Sequence, residues 1–140
     1  MKLLYFVLMY LFMSIPVMGQ RVSVSQLKDI VWIRTSPYIK GIATKMKFTD
    51  TELQVMETLD YSGKTYVFNY PYYMSDVRTY DFDSTMVGKN TKGSFVLRLS
   101  KGKVHIVRIL GISKDTLVVE FEVRKDFIGG NTIMKFKREE

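Results

Sequence analysis

The second half of the chain alternates between apolar and polar residues, and short turn-forming segments interrupt this alternation at intervals. From position 95 to 137 it reads FVLRLSKGKVHIVRIL, then GISKDTLVVEFEV, then RKDFIGGNTIMKFK. A period of two is typical of a strand with one buried face, because successive side chains point to opposite sides of a sheet. Short Gly- or Asp-bearing turns between such strands indicate hairpins. We therefore predict an antiparallel meander.

The alternation also predicts which side chains of the meander face the core. In its first strand Phe95, Leu97 and Leu99 share a face, and Arg98 lies opposite. Because apolar side chains are the ones usually buried, we expect these three to face the core. In the third strand the predicted inward residues are Leu117, Val119, Phe121 and Val123.

The first half of the chain adds short strands separated by turns. We predict strands at 43–49, 52–59 and 64–74, a weaker strand at 75–85, and a loop at 86–93. Glu57 breaks the apolar face of the second of these strands. The total is eight or nine short antiparallel strands with no long helix. Such a chain forms an all-β sandwich or closed barrel, and short sequential connections favour an antiparallel up-and-down barrel.

The beginning of the chain has the pattern of a secretory signal peptide. Lys2 is positive, residues 3–15 (LLYFVLMYLFMSI) are almost wholly apolar, Pro16 ends this run, and Gly19 offers a small residue for cleavage. A membrane anchor is the alternative, but a helical span needs about 18 or more apolar residues. We therefore predict a signal peptide at 1–19 and one secreted domain at 20–140.

Two absences bear on the source of the protein. The chain has no cysteine, so no disulfide framework supports it. It also has no N-glycosylation sequon, because Asn69, Asn90 and Asn131 each lack a hydroxyl residue two positions on. Both absences favour a bacterial source, with the protein in the periplasm or the extracellular space.

The charge balance is basic. Lys and Arg outnumber Asp and Glu by 21 to 14, which gives a formal net charge of +7. Such a balance can indicate an acidic partner, but secretion argues against nucleic acid. If the first and last strands pair, one basic stripe for a membrane surface would comprise Lys45, Lys47, Lys135 and Lys137. The alternative is that these lysines keep the strands soluble and discourage edge pairing.

The order of these parts resembles the lipocalin-like, or calycin, proteins, in particular the small secreted β-barrels of bacteria. The resemblance rests on Leu27 to Trp32, on KFTDTEL at 47–53, on GISKDTLVVEF at 111–121 and on MKFKR at 134–138. It implies that Trp32, the only tryptophan, plugs the closed end of the barrel and that Arg138 covers it in a cation–π contact. It also implies that the protein binds a ligand or a partner.

An aromatic segment is the best candidate for a ligand site. Its rings recur at period two and continue into the next segment, which predicts a ligand-binding set of Tyr66, Phe68, Tyr70, Tyr72, Tyr80 and Phe82. An eight-stranded barrel can hold one small ligand between such rings. The alternative is that the rings simply fill the barrel.

The sequence offers little for catalysis or metal binding. His105 is the only histidine, and neither a cysteine nucleophile nor a Gly-x-Ser-x-Gly elbow accompanies it. We therefore expect no catalytic residue, no metal and no cofactor. The predicted function is a secreted, non-enzymatic binding protein for a small apolar or aromatic ligand. The alternative is a protein-interaction module, an inhibitor or envelope-assembly partner, that presents the 86–93 and 124–130 loops from a packed barrel.

Overall fold

The computed structural model describes residues 19–89, 91–122 and 131–140. The predicted signal peptide, apart from Gly19, lies outside the described residues, and so do Val123 and the predicted 124–130 loop. Among the described residues, no helix is long and apolar enough to cross a membrane.

Eight antiparallel strands form a closed barrel, as the alternation predicted. Strand β1 (Val22–Ser23) and helix α1 (Val24–Leu27) precede the barrel, and strand β6 (Lys92–Gly93) pairs with β1 outside it. The barrel strands are β2 (Val31–Ser36), β3 (Ile42–Phe48), β4 (Glu52–Leu59), β5 (Thr65–Ser75), β7 (Phe95–Ser100), β8 (Lys103–Ile112), β9 (Thr116–Phe121) and β10 (Thr132–Arg138). Each pairs with its neighbour in sequence, and β10 closes the barrel against β2. This architecture is compatible with a calycin-like fold.

Helix α1 closes one end of the barrel over the only tryptophan. Trp32 is completely buried, and its indole Nε1–H donates a hydrogen bond to the Leu27 carbonyl at 3.3 Å. Val24 and Leu27 of the helix are buried in the same cluster. A large ring that is covered by a helix and has its one donor satisfied is typical of a core residue.

Arg138 lies near Trp32 but does not cover it. The two residues are Cα partners between β10 and β2, yet Arg138 is exposed at the surface of the closed end. Among the described residues, the guanidinium groups that lie over aromatic rings belong to Arg78 and Arg98. The predicted cation–π contact is therefore not formed, because α1 occupies the space over the indole.

The first strand of the meander faces the opposite way from our prediction. Val96 packs in the barrel core with Trp32, whereas Leu97 belongs to a separate apolar cluster with Tyr73 on the outer face of the barrel. Arg98 shares the inner face with Val96, because side chains two residues apart point to the same side of a strand. In contrast, Leu117, Val119 and Phe121 face inward as predicted.

The segment after β5 explains this inversion. Residues 76–89 are not a strand; they form an irregular excursion that includes a short 3-10 helix, Ser84–Met86. Side chains there bond to the local backbone: Thr79 Oγ1 accepts from the Asp81 amide and Asp83 Oδ1 from the Thr85 amide. Such bonds compete with a sheet ladder. The excursion covers the outer face of β7 with Phe82, Met86 and Val87.

The basic stripe is divided in the folded protein. Strand β2 lies between β3 and β10, so Ile33 pairs with Lys45 on one side and with Lys137 on the other. Lys45 also forms an ion pair with Glu139 at 2.6 Å. The lysines therefore stand on two strands that an apolar residue separates, which favours their role as solvated outer positions.

The β4–β5 hairpin extends beyond the rest of the barrel at the open end. Strand β7 pairs with β5 only along 72–75, whereas 65–71 pairs with β4. The turns at 37–41 and 60–64 lie at the same end and are joined by a hydrogen bond from the Asp60 amide to the Gly41 carbonyl. This end of the barrel is therefore open and asymmetric.

We expect Tyr72→Phe to lower the free energy of unfolding by about 1 kcal/mol at neutral pH. The Tyr72 side chain is buried, and its hydroxyl donates a 2.6 Å hydrogen bond to the Thr49 carbonyl. Burial also raises the pKa of Tyr72, so the unfolded chain ionises this group above about pH 10 while the folded protein does not.

Wild-type stability therefore carries a contribution that is present below about pH 10 and is lost as the pH rises further. The variant lacks this contribution, so the difference between the two proteins should shrink in alkaline solution. Urea unfolding at several pH values measures it. A difference that is absent at neutral pH, or that grows at alkaline pH, would contradict the assignment.

Candidate functional site

A cavity of about 340 Å³ lies in the open half of the barrel. Its walls come from seven of the eight barrel strands, all except β8. Most of the surface is apolar, contributed by Met46, Val55, Phe68, Met134 and Phe136. The volume is near the lower limit of the roughly 300–1,000 Å³ that small-molecule sites occupy.

The structure brings together part of the predicted aromatic face. Phe68 and Tyr70 line the cavity. Tyr72 lies deeper, in the buried core, where its ring packs edge-on against Phe48 with the centroids 5.4 Å apart. Tyr66 continues the same face to the rim and is 46% exposed. The four rings therefore run along one inner face from the core to the solvent.

The two remaining predicted residues lie outside the barrel. Phe82 packs against Tyr73 on the outer face, with the ring centroids 5.0 Å apart. Tyr80 is on the surface, under the guanidinium of Arg78. The chain leaves the barrel wall after β5, so a pattern that continues in sequence does not continue in space.

The polar part of the cavity lining centres on Arg98. Its guanidinium carbon lies 4.8 Å from the ring centroid of Tyr70 and 5.3 Å from that of Phe121. Its Nε is buried and has no hydrogen-bond partner among the described residues. Burial lowers the pKa of Arg98, because desolvation disfavours the charged form. An arginine nevertheless stays protonated in proteins, so a positive charge faces the cavity.

Further polar residues of the lining are Arg34, Glu57, Thr44 and Thr132. Arg34 and Glu57 contribute one charge of each sign. Thr44 is buried, and its hydroxyl has no hydrogen-bond partner among the described residues. Buried polar atoms in folded proteins are normally satisfied by protein, water or a ligand. The unsatisfied Thr44 hydroxyl and Arg98 Nε therefore mark where a bound molecule can complete hydrogen bonds.

Sequence reasoning overlooked these polar residues, although two of them carried a signal. Glu57 interrupts the apolar alternation of β4, and Arg98 stands within an otherwise apolar strand. A charged residue at such a position either faces solvent or lines an internal site. For Arg98, the packing of residues 76–89 over the outer face of β7 decides between these cases.

The described residues show no geometry for metal chemistry. They contain no group of three or more His, Cys, Asp or Glu side chains that could hold a metal ion. His105 pairs directly with Arg98 across β7 and β8, so both belong to the inner face. Glu57 is the single acidic residue of the cavity lining.

Binding is the chemistry that this arrangement supports. One end of the barrel is sealed by α1 and Trp32, and the other opens to an apolar cavity with a buried cation. Comparisons of the chain with protein-family models, with curated proteins and with solved structures gave no match, so the strand order and register alone define the fold.

Proposed function

We propose that the protein is a secreted, non-enzymatic binding protein that holds a small ligand with an apolar or aromatic body in the mouth of a lipocalin-like barrel. The observation that carries this proposal is the cavity of about 340 Å³ beside Phe68 and Tyr70. A filled barrel would leave no such space, and eight strands are enough to hold one small molecule.

The distribution of packing along the barrel supports the proposal. The closed half contains the large buried side chains, including Trp32, Phe48 and Leu117. The open half contains the cavity, and Phe68 at its edge keeps 42% of its surface exposed. An apolar wall that is accessible from one end allows a ligand to enter without unfolding the core.

Native mass spectrometry of the protein purified from its own host tests the proposal directly. A small molecule that copurifies at one copy per chain would support it. A bound polypeptide with no small molecule would favour the interaction module instead.

A cavity-filling variant gives a second test, with N-phenyl-1-naphthylamine as an uncharged fluorescent probe. Val55 lines the cavity, so Val55→Phe should weaken probe binding by about tenfold or more, equivalent to roughly 1.4 kcal/mol. Val67 is adjacent on the sheet, faces outward and is 54% exposed. The matched variant Val67→Phe should bind the probe as the wild type does. Equal probe binding by both variants would place the probe outside the barrel and contradict the proposal.

The interaction module remains the second candidate because apolar side chains surround the open end. Tyr38 and Tyr61 are 83% and 86% exposed in the 37–41 and 60–64 turns. Met86 and Val87 of the predicted 86–93 loop pack instead on the outer cluster, and the 124–130 loop lies outside the described residues. On this alternative the rim, rather than the cavity, would contact a protein. Replacing both tyrosines with serine would then abolish partner capture and leave probe binding unchanged.

A further inference from the structure

We infer that the ligand carries a carboxylate and that the Arg98 guanidinium binds this group inside the barrel. The inference rests on the proposed function, because it names the chemistry of a molecule in the same cavity. The ligand class is a monocarboxylic acid with an apolar or aromatic body. The cationic Arg98 indicates that the ligand is an anion, and the apolar cavity walls indicate that the rest of the ligand is apolar.

Arg98 places a positive charge in the barrel without an acidic partner. The ion pairs among the described residues do not include it, and its Nε–H donates to no acceptor among those residues. The rings of Tyr70 and Phe121 stabilise the cation through their faces. Rings do not satisfy the N–H donors in the guanidinium plane. A carboxylate does, because its two oxygens match the fork of donors that arginine presents.

The charges that line the cavity favour an anion. Arg34 and Arg98 are cationic, and Glu57 is the one carboxylate among the lining residues. The lining therefore carries one excess positive charge in a space with largely apolar walls, where opposite charges attract more strongly than in water. The unsatisfied Thr44 hydroxyl adds a neutral donor to the same lining.

The register indicates how such a ligand lies. Arg98 pairs with Tyr72, which belongs to the buried core, and its guanidinium lies beside the Tyr70 ring on the cavity wall. Phe68 lies nearer the mouth on the same face of β5. A carboxylate at Arg98 therefore directs the apolar body toward the open end.

Isothermal titration calorimetry with matched acids and alcohols tests the inference. Decanoate and 1-decanol share an aliphatic body, and 1-naphthoate and 1-naphthalenemethanol share an aromatic one. In the wild type we expect the acid of at least one pair to bind about tenfold or more tightly than its alcohol. The pair that shows the preference identifies the body that fits.

Arg98→Met should abolish the preference and reduce the difference between acid and alcohol to about twofold or less. Arg98→Lys keeps the positive charge but lacks the two-pronged set of guanidinium donors. This variant should therefore retain only part of the preference for the acid. Arg78→Met is the matched control, because Arg78 also lies over an aromatic ring but stands on the outer surface. It should keep the full preference. Probe binding and circular dichroism show that each variant is folded.

The outcomes separate this inference from the proposed function. If alcohols and the uncharged probe bind but acids bind no better, or if Arg98→Met keeps the preference, the inference is wrong and the binding function stands. If neither acids, alcohols nor the probe bind the wild type, both are wrong. A preference that disappears in Arg98→Met and persists in Arg78→Met supports both.

Discussion

Replacing Trp32 with alanine is expected to lower the free energy of unfolding by about 3–5 kcal/mol. The indole is completely buried where α1 meets the barrel, and its N–H donates to the Leu27 carbonyl. Alanine would leave a cavity between two elements that cannot close on each other without moving the helix. It would also remove the donor for the Leu27 carbonyl. Urea unfolding followed by far-UV circular dichroism measures the change, because the variant has no tryptophan to report by fluorescence.

Tyr61→Ala is the control for the loss of a large ring. Tyr61 is 86% exposed at the tip of the β4–β5 hairpin, so its removal should change stability by less than about 0.5 kcal/mol. If Trp32→Ala lowers the free energy of unfolding by less than about 1.5 kcal/mol, the closed end repacks easily. That result would contradict the expected cost of removing a buried tryptophan. Because Trp32 does not line the cavity, the folded variant should still bind the uncharged probe.

The role of Trp32 as a core residue could be predicted from the sequence, but its cover could not. A lone tryptophan just before a run of strands is typically buried for the apolar area it removes from water. What lies over the ring depends on how a four-residue helix docks, and no periodicity is readable in so short an element. The resemblance to lipocalin-like proteins implied that Arg138 takes that place, but Leu27 of α1 packs with Trp32 there.

In strand β9 the alternation of apolar and polar residues is sufficient to predict which face of the strand is buried. Its inner residues, Leu117 and Val119, are buried, and Thr116, Val118 and Glu120 lie on the outer face. The inner face is wholly apolar and the outer face carries Glu120, so only one orientation buries an apolar face without burying a charge. The same argument predicted the up-and-down order of the barrel strands, but it also predicted a strand at 75–85 that is not formed.

In strand β7 the alternation does not predict which face of the strand points into the barrel. Val96 and Leu97 are both fully buried, one inside the barrel and one beneath the 76–89 excursion. When both faces of a strand are covered, a period of two defines two faces but does not say which is inside. The position of Arg98 follows from that choice. The cation of the candidate site could therefore not be assigned without the tertiary packing.

The aromatic segment lies partly inside the barrel and partly outside it, for a related reason. Phe68 and Tyr70 line the cavity because β5 is a continuous strand from the rim to the core. Tyr80 and Phe82 follow at a similar spacing, but local side-chain bonds to the backbone end the strand at Ser75. Whether any of these rings contacts a ligand stays a prediction for the binding experiments.

Gly93→Ala is expected to lower the free energy of unfolding by about 3 kcal/mol, the upper end of the usual cost of overpacking. Gly93 lies in β6, and a Cβ at this position would overlap the backbone of Ser75, the last residue of β5. The obstacle is main chain, so no rotamer change relieves it. The backbones must move apart, and β6 is the partner of β1, whose Val22 is buried in the barrel core.

Gly111→Ala is the matched control, because its outcome has the opposite sign. Gly111 lies at the irregularity in β8, where a Cβ would meet no atom within 4 Å and the backbone is not in the left-handed region. Alanine there should be neutral or should raise stability by about 0.4–1 kcal/mol, because it restricts the unfolded chain. Thermal and urea unfolding of both variants give the comparison. Equal, small effects at the two positions would show that β6 is free to move away from β5 and that the β1–β6 pair does not hold Val22 in the core.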